Sequence, residues 1–257
     1  MDLSIQTMAG FLIAAATALT AGSIPVYETT DSEAEYGGAW DINIFADDVH
    51  FHHGGIITNV TLFLSIKGTN QNCRLWIFDN VVSDAIYTTT FSNTPSSSPT
   101  DFRAYHFPMR LSVPKDIYIG FSAEGDGWDE QLLDSAELAP TITRGTASGA
   151  GFYWWGPVEN SQLNQGGNFN SGDYFKLRVD MLQPEITSFT ATNHIAALEG
   201  TNISEFATYL IEKTSSLASN NWTVIEEITG SSELIQWSET MTEEIENRHY
   251  RIRIKHE

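Results

Sequence analysis

Cysteine is almost absent from this chain: Cys73 stands alone among 257 residues. A single thiol excludes an internal disulfide, so no covalent staple holds the fold. It sits in the apolar run Cys73-Arg-Leu-Trp-Ile-Phe78, where a buried structural cysteine is a plainer reading than a redox-active one. An exported protein that folds without bridges suits a bacterial envelope better than an animal one. Positive charge is the second shortage. Thirteen Lys and Arg face 33 Asp and Glu, a formal net charge of −20, and residues 1–66 contain eight acids and no Lys or Arg. With no basic stripe to neutralise phosphates, nucleic acid is excluded as a partner class. Net acidity serves solubility or cation binding instead.

Long apolar runs are scarce too. The one at residues 8–22, MAGFLIAAATALTAG, has the length of a signal-peptide core and is too short for a stable membrane span. Two readings of residues 1–23 follow: a cleaved export signal, or an apolar segment retained to complete a neighbouring subunit. The first lacks the usual positive charge at its start and carries Asp2. Either way the expected location is extracellular or at the cell surface. Helical periodicity is missing as well, outside residues 8–22 and a weak pattern at 129–138.

What is present is β patterning. Residues 41–45 and 48–52 alternate, the latter with Val49 and Phe51 on one face and Asp48, His50 and His52 on the other. Gly54-Gly55 reads as a turn. Residues 56–66 form a strong strand with Ile57, Leu62, Leu64 and Ile66 as core. Strands follow at 74–78, 85–91, 102–111, 116–121 and within 169–182, with a Ser/Pro loop at 93–100. Gln183-Pro-Glu185 is a short linker. Beyond it, strands read at 188–192, 207–213, 222–228, 234–237 and 249–255. The expected fold class is all-β, with a jelly-roll-like β-sandwich over residues 24–182 and a small second β-sandwich over 185–257.

Ala46-Asp-Asp-Val49, a glycine turn and then Ile57-Thr-Asn-Val60 resemble the opening of β-sandwich modules in secreted, surface-sorted (PEP-CTERM-like) bacterial proteins. Asp116-Ile-Tyr-Ile-Gly120 and Tyr174-Phe-Lys-Leu177 fall in the same order, so the resemblance covers residues 40–180. It implies a fold and a location and brings no catalytic residues. Val49 stands where that pattern usually has Phe. Further on, Tyr209-Leu-Ile-Glu-Lys-Thr-Ser-Ser-Leu217, Asn221-Trp-Thr-Val224, Gln236-Trp237 and Tyr250-Arg-Ile-Arg253 resemble fibronectin type III-like end modules. That resemblance implies core and corner roles for Trp222, Trp237 and Tyr250, and a spacer, cap or docking role for the module.

The candidate sites cluster between residues 121 and 168. Glu124, Asp126, Asp129 and Glu130 lie among Gly125 and Gly127, and hard cations such as Ca²⁺ take several oxygens from a glycine-bent loop. A structural Ca²⁺ and a plain solvated turn are the two readings, and no other cofactor is implied. The run Phe152-Tyr-Trp-Trp155 alternates across a strand, so half of it faces a core. The other half can offer a flat platform to sugar rings. Trp128, Tyr153, Trp154 and Trp155, with Asn160 and Gln162 as hydroxyl partners, are the candidate glycan-binding set. Core packing or an interface is the competing use of the same aromatics. His50, His52 and His53, with Asp47 and Asp48, invite a metal reading, but two histidines two apart on a strand arise readily by chance. No nucleophile elbow, zinc helix or phosphate loop is present, so no catalytic residue is assigned. The expected function is a non-catalytic carbohydrate-binding or adhesive module. The alternative is a structural subunit that self-assembles through its apolar N-terminus.

Overall fold

The computed structural model of the chain describes residues 22–29, 35–39, 43–66, 72–98, 101–124, 134–139, 142–147, 150–155, 167–170, 174–192, 195–216, 221–231, 233–240 and 248–255. Among them every regular element is a β-strand. No helix there is long and apolar enough to cross a membrane.

The first fourteen strands make two sheets. They are β1 (Ser23–Thr29), β2 (Glu35–Ala39), β3 (Asn43–His50), β4 (Gly55–Ile66), β5 (Asn72–Phe78), β6 (Tyr87–Phe91) and β7 (Arg103–Val113). After these come β8 (Asp116–Glu124), β9 (Asp134–Ala139), β10 (Ile142–Arg144), β11 (Ala150–Trp155), β12 (Gly167–Asn170), β13 (Tyr174–Phe175) and β14 (Leu177–Leu182). The first sheet is eight-stranded in the order β10-β1-β14-β4-β9-β13, with β2 on β9 and β7 on β4. The second runs β12-β11-β3-β8-β5-β6. Pairing is antiparallel, as in β4 with β7 and β3 with β8.

The two sheets share one core. Val60, Leu62 and Leu64 of β4 and Val179 of β14 pack in the same cluster as Leu75 and Ile77 of β5 and Ile119 and Phe121 of β8. The rings of Phe121 and Phe175 meet edge to face across it, 5.4 Å between centroids. This is a β-sandwich: each sheet turns one face inward, and each fully buried Leu, Ile or Val contributes about 1.5–3 kcal/mol by leaving water. Leu62, Leu64 and Ile66 are buried as their alternation implies, Ile57 joins them across a register shift between Ile57 and Asn59, and Cys73 is buried too.

Three expectations change. The segments read at 41–45 and 48–52 share one strand, β3 (Asn43–His50), which runs unbroken between them. Gly54-Gly55 is not a hairpin tip, because β3 and β4 lie in different sheets and Gly55 already begins β4. The weak helical pattern at 129–138 gives way to strand at its end, where β9 pairs with β2, β4 and β13. Tertiary pairing outweighs local propensity there.

The remaining strands are β15 (Glu185–Thr192), β16 (Ile195–Thr201), β17 (Thr208–Thr214), β18 (Thr223–Thr229), β19 (Leu234–Thr240) and β20 (His249–Ile254). They form a third sheet, β15-β16-β19, and a fourth, β18-β17-β20. A separate cluster joins them: Leu198 and Ile235 from the third, Tyr209, Ile211 and Ile254 from the fourth, with Trp237 and Tyr250 packed at its margin. The sequence reading missed β16 altogether.

The two pairs of sheets touch at a few points. A Cβ added to Gly54 would lie 2.3 Å from the Phe206 carbonyl oxygen, so only glycine admits that approach. The Ser112 and Ser204 hydroxyls are 2.6 Å apart. Arg110 pairs with Glu233 at 3.2 Å on the exposed rim.

Candidate functional site

The second sheet is buried on both faces around β5. Its sequence Cys-Arg-Leu-Trp-Ile-Phe sends Cys73, Leu75 and Ile77 into the inter-sheet core. The alternate residues Trp76 and Phe78 go to the opposite face, where they join Ile44 and Ala46 of β3 in a second cluster. These four are at most 3% exposed. The Trp76 and Phe78 rings lie 6.2 Å apart and nearly parallel. The indole Nε1–H of Trp76 donates to Ser122 Oγ at 2.7 Å, which satisfies the one polar atom of the ring. Arg74 places its guanidinium 5.7 Å from the Trp76 ring centroid. Val81, Ala85 and Tyr118 pack around the cluster.

The expected aromatic run is β11, held between β12 and β3. Its register sets Tyr153 opposite Phe45, Trp154 opposite Ile44 and Trp155 opposite Asn43. Positions 152 and 154 therefore align with Ala46 and Ile44 of the second cluster, and position 153 with the inter-sheet side. Glu124 is the last residue of β8, opposite Asn72. Trp128, Asp126, Asp129, Glu130, Asn160 and Gln162 lie outside the described residues.

The histidines part company. His50 bridges two carboxylates, Nδ1 to Asp116 at 2.8 Å and Nε2 to Asp48 at 3.2 Å. His53 is buried and bonds the Gly54 carbonyl oxygen at 2.8 Å. His52 is exposed. Among the described residues no group of three or more His, Cys, Asp or Glu is arranged to hold a metal. Burial, with the charges of Asp48 and Asp116, pushes the Tyr118 hydroxyl above its ordinary range. Asp47 turns to the other side of β3 and accepts the Phe175 backbone N–H at 2.6 Å, tying the second sheet to the first.

Asn59, Asn202 and Asn221 each head an Asn-x-Ser/Thr sequon of the kind that is glycosylated; the Asn59 amide is engaged with Thr61 and Asp180, and that of Asn202 with the Gln183 carbonyl. Asn221 is exposed. Trp222, one of the three residues given core and corner roles, lies half-buried on the outer face of the fourth sheet, with the Arg251 guanidinium 4.2 Å from its ring centroid. The sequence reading also missed the second face of β5. Its signal was the unbroken run Leu-Trp-Ile-Phe, which reads as two-sided burial rather than alternation. No protein-family model matches the chain, and no curated protein matches it. What fold and site define is a class: an all-β, antiparallel sandwich protein whose second sheet carries a buried aromatic outer face.

Proposed function

We propose that the chain is a non-catalytic binding protein of the extracellular space or cell surface, and that β11 is its glycan-binding strand. The observation that carries this reading is the placement of β11. It is paired along both edges, so the run 152–155 is fixed on a sheet rather than carried on a loop. Stacking against a sugar needs a flat partner held in one orientation, and a central strand supplies that at little entropic cost. Residues 124–130 and 160–162 complete the reading as cation and hydroxyl partners. Strand order supports taking the second pair of sheets as a fibronectin type III-like module. Its first, second and fifth strands form one sheet, and its third, fourth and sixth the other.

The test is polysaccharide retention by the full chain, before and after Trp154→Ala and Tyr153→Ala. These positions fall on opposite register faces, so one substitution is expected to lower affinity about tenfold while the other acts on stability. Folded variants that both bind as the parent does would sink the reading. Native mass spectrometry with and without chelator checks the Ca²⁺ part: one bound ion is expected, and none ends it.

One observation favours the assembling subunit as a second reading. Ser23 pairs with Leu182 at the end of β14, next to the start of β15. Ser23, which the apolar segment 8–22 precedes in sequence, therefore lies beside the junction of the two pairs of sheets, where Ile24 is 42% exposed. Light scattering of the full chain and of a chain starting at Ser23 separates the readings. Loss of a large particle on truncation favours assembly, and a monomer in both cases removes it.

A further inference from the structure

The last strand and its flanks concentrate positive charge in a chain that has little of it. Residues 248–255 hold Arg248, Arg251, Arg253 and Lys255, and no acid. Strand alternation divides them. Ile252 and Ile254 go to the core of the second pair of sheets. Arg251 and Arg253 take the opposite face, two residues apart and so roughly 7 Å between their Cα atoms.

Glu212, on the neighbouring strand β17, is opposite Arg251 in register. Its side chain is only 3% exposed, and both arginines converge on it. Arg251 donates Nε–H to one Glu212 oxygen at 2.6 Å. Arg253 donates Nε–H to both oxygens at 3.1 Å. Each guanidinium thus spends its inner nitrogen on Glu212. The terminal nitrogens of both make no hydrogen bond among the described residues, and the two side chains are 42% and 43% exposed. Trp222 lies against one face of Arg251. Exposed Val224 is across the sheet from Glu212.

The geometry points to an anion clamp: Arg251 and Arg253, positioned by buried Glu212 and by Trp222, take a carboxylate or sulfate group on their terminal N–H donors. Two guanidiniums against Glu212 leave a local charge of +1, and Glu227 on the same face is offset by Lys255 at 2.7 Å. Guanidinium forks bind oxyanions through paired, charge-assisted hydrogen bonds, about twice as strong as neutral ones. Holding both forks in place beforehand removes most of the ordering cost that two free arginines would meet. The net charge of −20 repels a densely charged polyanion. The ligand class is therefore an isolated oxyanion, either free or carried by an acidic sugar. The clamp lies on the other pair of sheets from β11 and stands independently of the reading given to that strand.

The experiment is a titration of the full chain at low ionic strength with inorganic sulfate, with galacturonate and with uncharged galactose. Binding is followed by calorimetry and by the Arg Nε–H resonances in NMR. Saturable binding of sulfate or galacturonate is expected, with galactose inert and the Nε–H signals of Arg251 and Arg253 shifting. Tighter binding of galacturonate assigns the group to an acidic sugar; tighter binding of sulfate assigns it to a free anion. Arg253→Lys and Arg251→Lys keep a cation against Glu212 but lose the planar fork, and each is expected to weaken binding about tenfold. Arg110→Lys, on a distant rim pair, leaves it unchanged. The clamp is overturned if neither anion binds the parent saturably, if the two Nε–H signals do not move, or if the Lys variants bind as the parent does.

Discussion

Of the sheet faces that lie outside the sandwich cores, those of the second and fourth sheets are closed by opposite chemistry. On the second sheet, Ile44, Ala46, Trp76 and Phe78 seal an apolar cluster and retain no more than 3% exposure. On the fourth sheet a carboxylate is sealed instead, and the arginines that seal it stay more than 40% exposed. On the first face, the four side chains of the apolar cluster are spent on stability and do not themselves meet a ligand. The second face hides the acid and displays the base. Burial on an outer face therefore does not by itself mark a site; what matters is which groups remain in water once the buried ones are satisfied.

The largest effect expected from this contrast is at Trp76. Trp76→Ala removes the biggest side chain of the apolar face and strands Ser122 Oγ without its indole donor. A loss of about 3–5 kcal/mol in urea unfolding is expected. A loss below about 1 kcal/mol would mean that the face is open and the contrast mistaken.

Glu212→Gln comes next, because it keeps the shape and removes the charge. Breaking a deeply buried ion pair costs about 3–5 kcal/mol where the surviving charge is left dry. Here the surviving guanidiniums regain water, so about 1–2 kcal/mol is expected. The difference from the parent should shrink as salt is added. A salt-independent loss would show packing rather than charge at work, and would make the two faces alike.

How much of this was legible in the sequence depends on which neighbours a residue needs. In the strong strand β4, Leu62, Leu64 and Ile66 needed only alternation, whereas Ile57 needed the register shift beside it. β16 was overlooked because Ala196, Ala197 and Gly200 are poor strand formers. Yet Ala196 and Gly200 are buried there because they are small, and a Cβ on Gly200 would come within 2.5 Å of Ile252 Cδ1. The run 152–155 was read as a strand, which it is. The alternation of Arg251 and Arg253 was also visible. What no local pattern carries is register. That Glu212 falls opposite Arg251, or that Trp76 shares a face with Ile44, follows only from pairing between segments far apart in sequence.

The smallest and most specific effect sits at the margin of the second core, on Tyr250. Its hydroxyl donates to Glu239 Oε1 at 2.6 Å, beside Lys213 and Arg248. Burial, followed by the hydrogen bond to Glu239 and its charge, pushes the phenol from 10.0 up to about 12. Burial alone would raise the Glu239 carboxyl, but the Tyr250 hydroxyl, Lys213 and Arg248 outweigh it and hold the carboxyl below its ordinary range. The signs are opposite. A raised phenol contributes stability that is fully present below pH 10 and is lost as pH climbs from 10 through about 12. A lowered carboxyl contributes stability present above its ordinary value and lost as pH falls through its folded one. Tyr250→Phe removes the first contribution and weakens the second. The variant should be slightly less stable than the parent at neutral pH, and the gap should close as pH rises from 10 toward 12. Tyr209, also raised by burial, stays in both chains and cancels in the difference. Urea midpoints of parent and variant across that range decide the matter. A gap that stays constant would mean that Tyr250 titrates as an ordinary phenol, and that this margin of the core is as wet as the arginine face on the other side of β20.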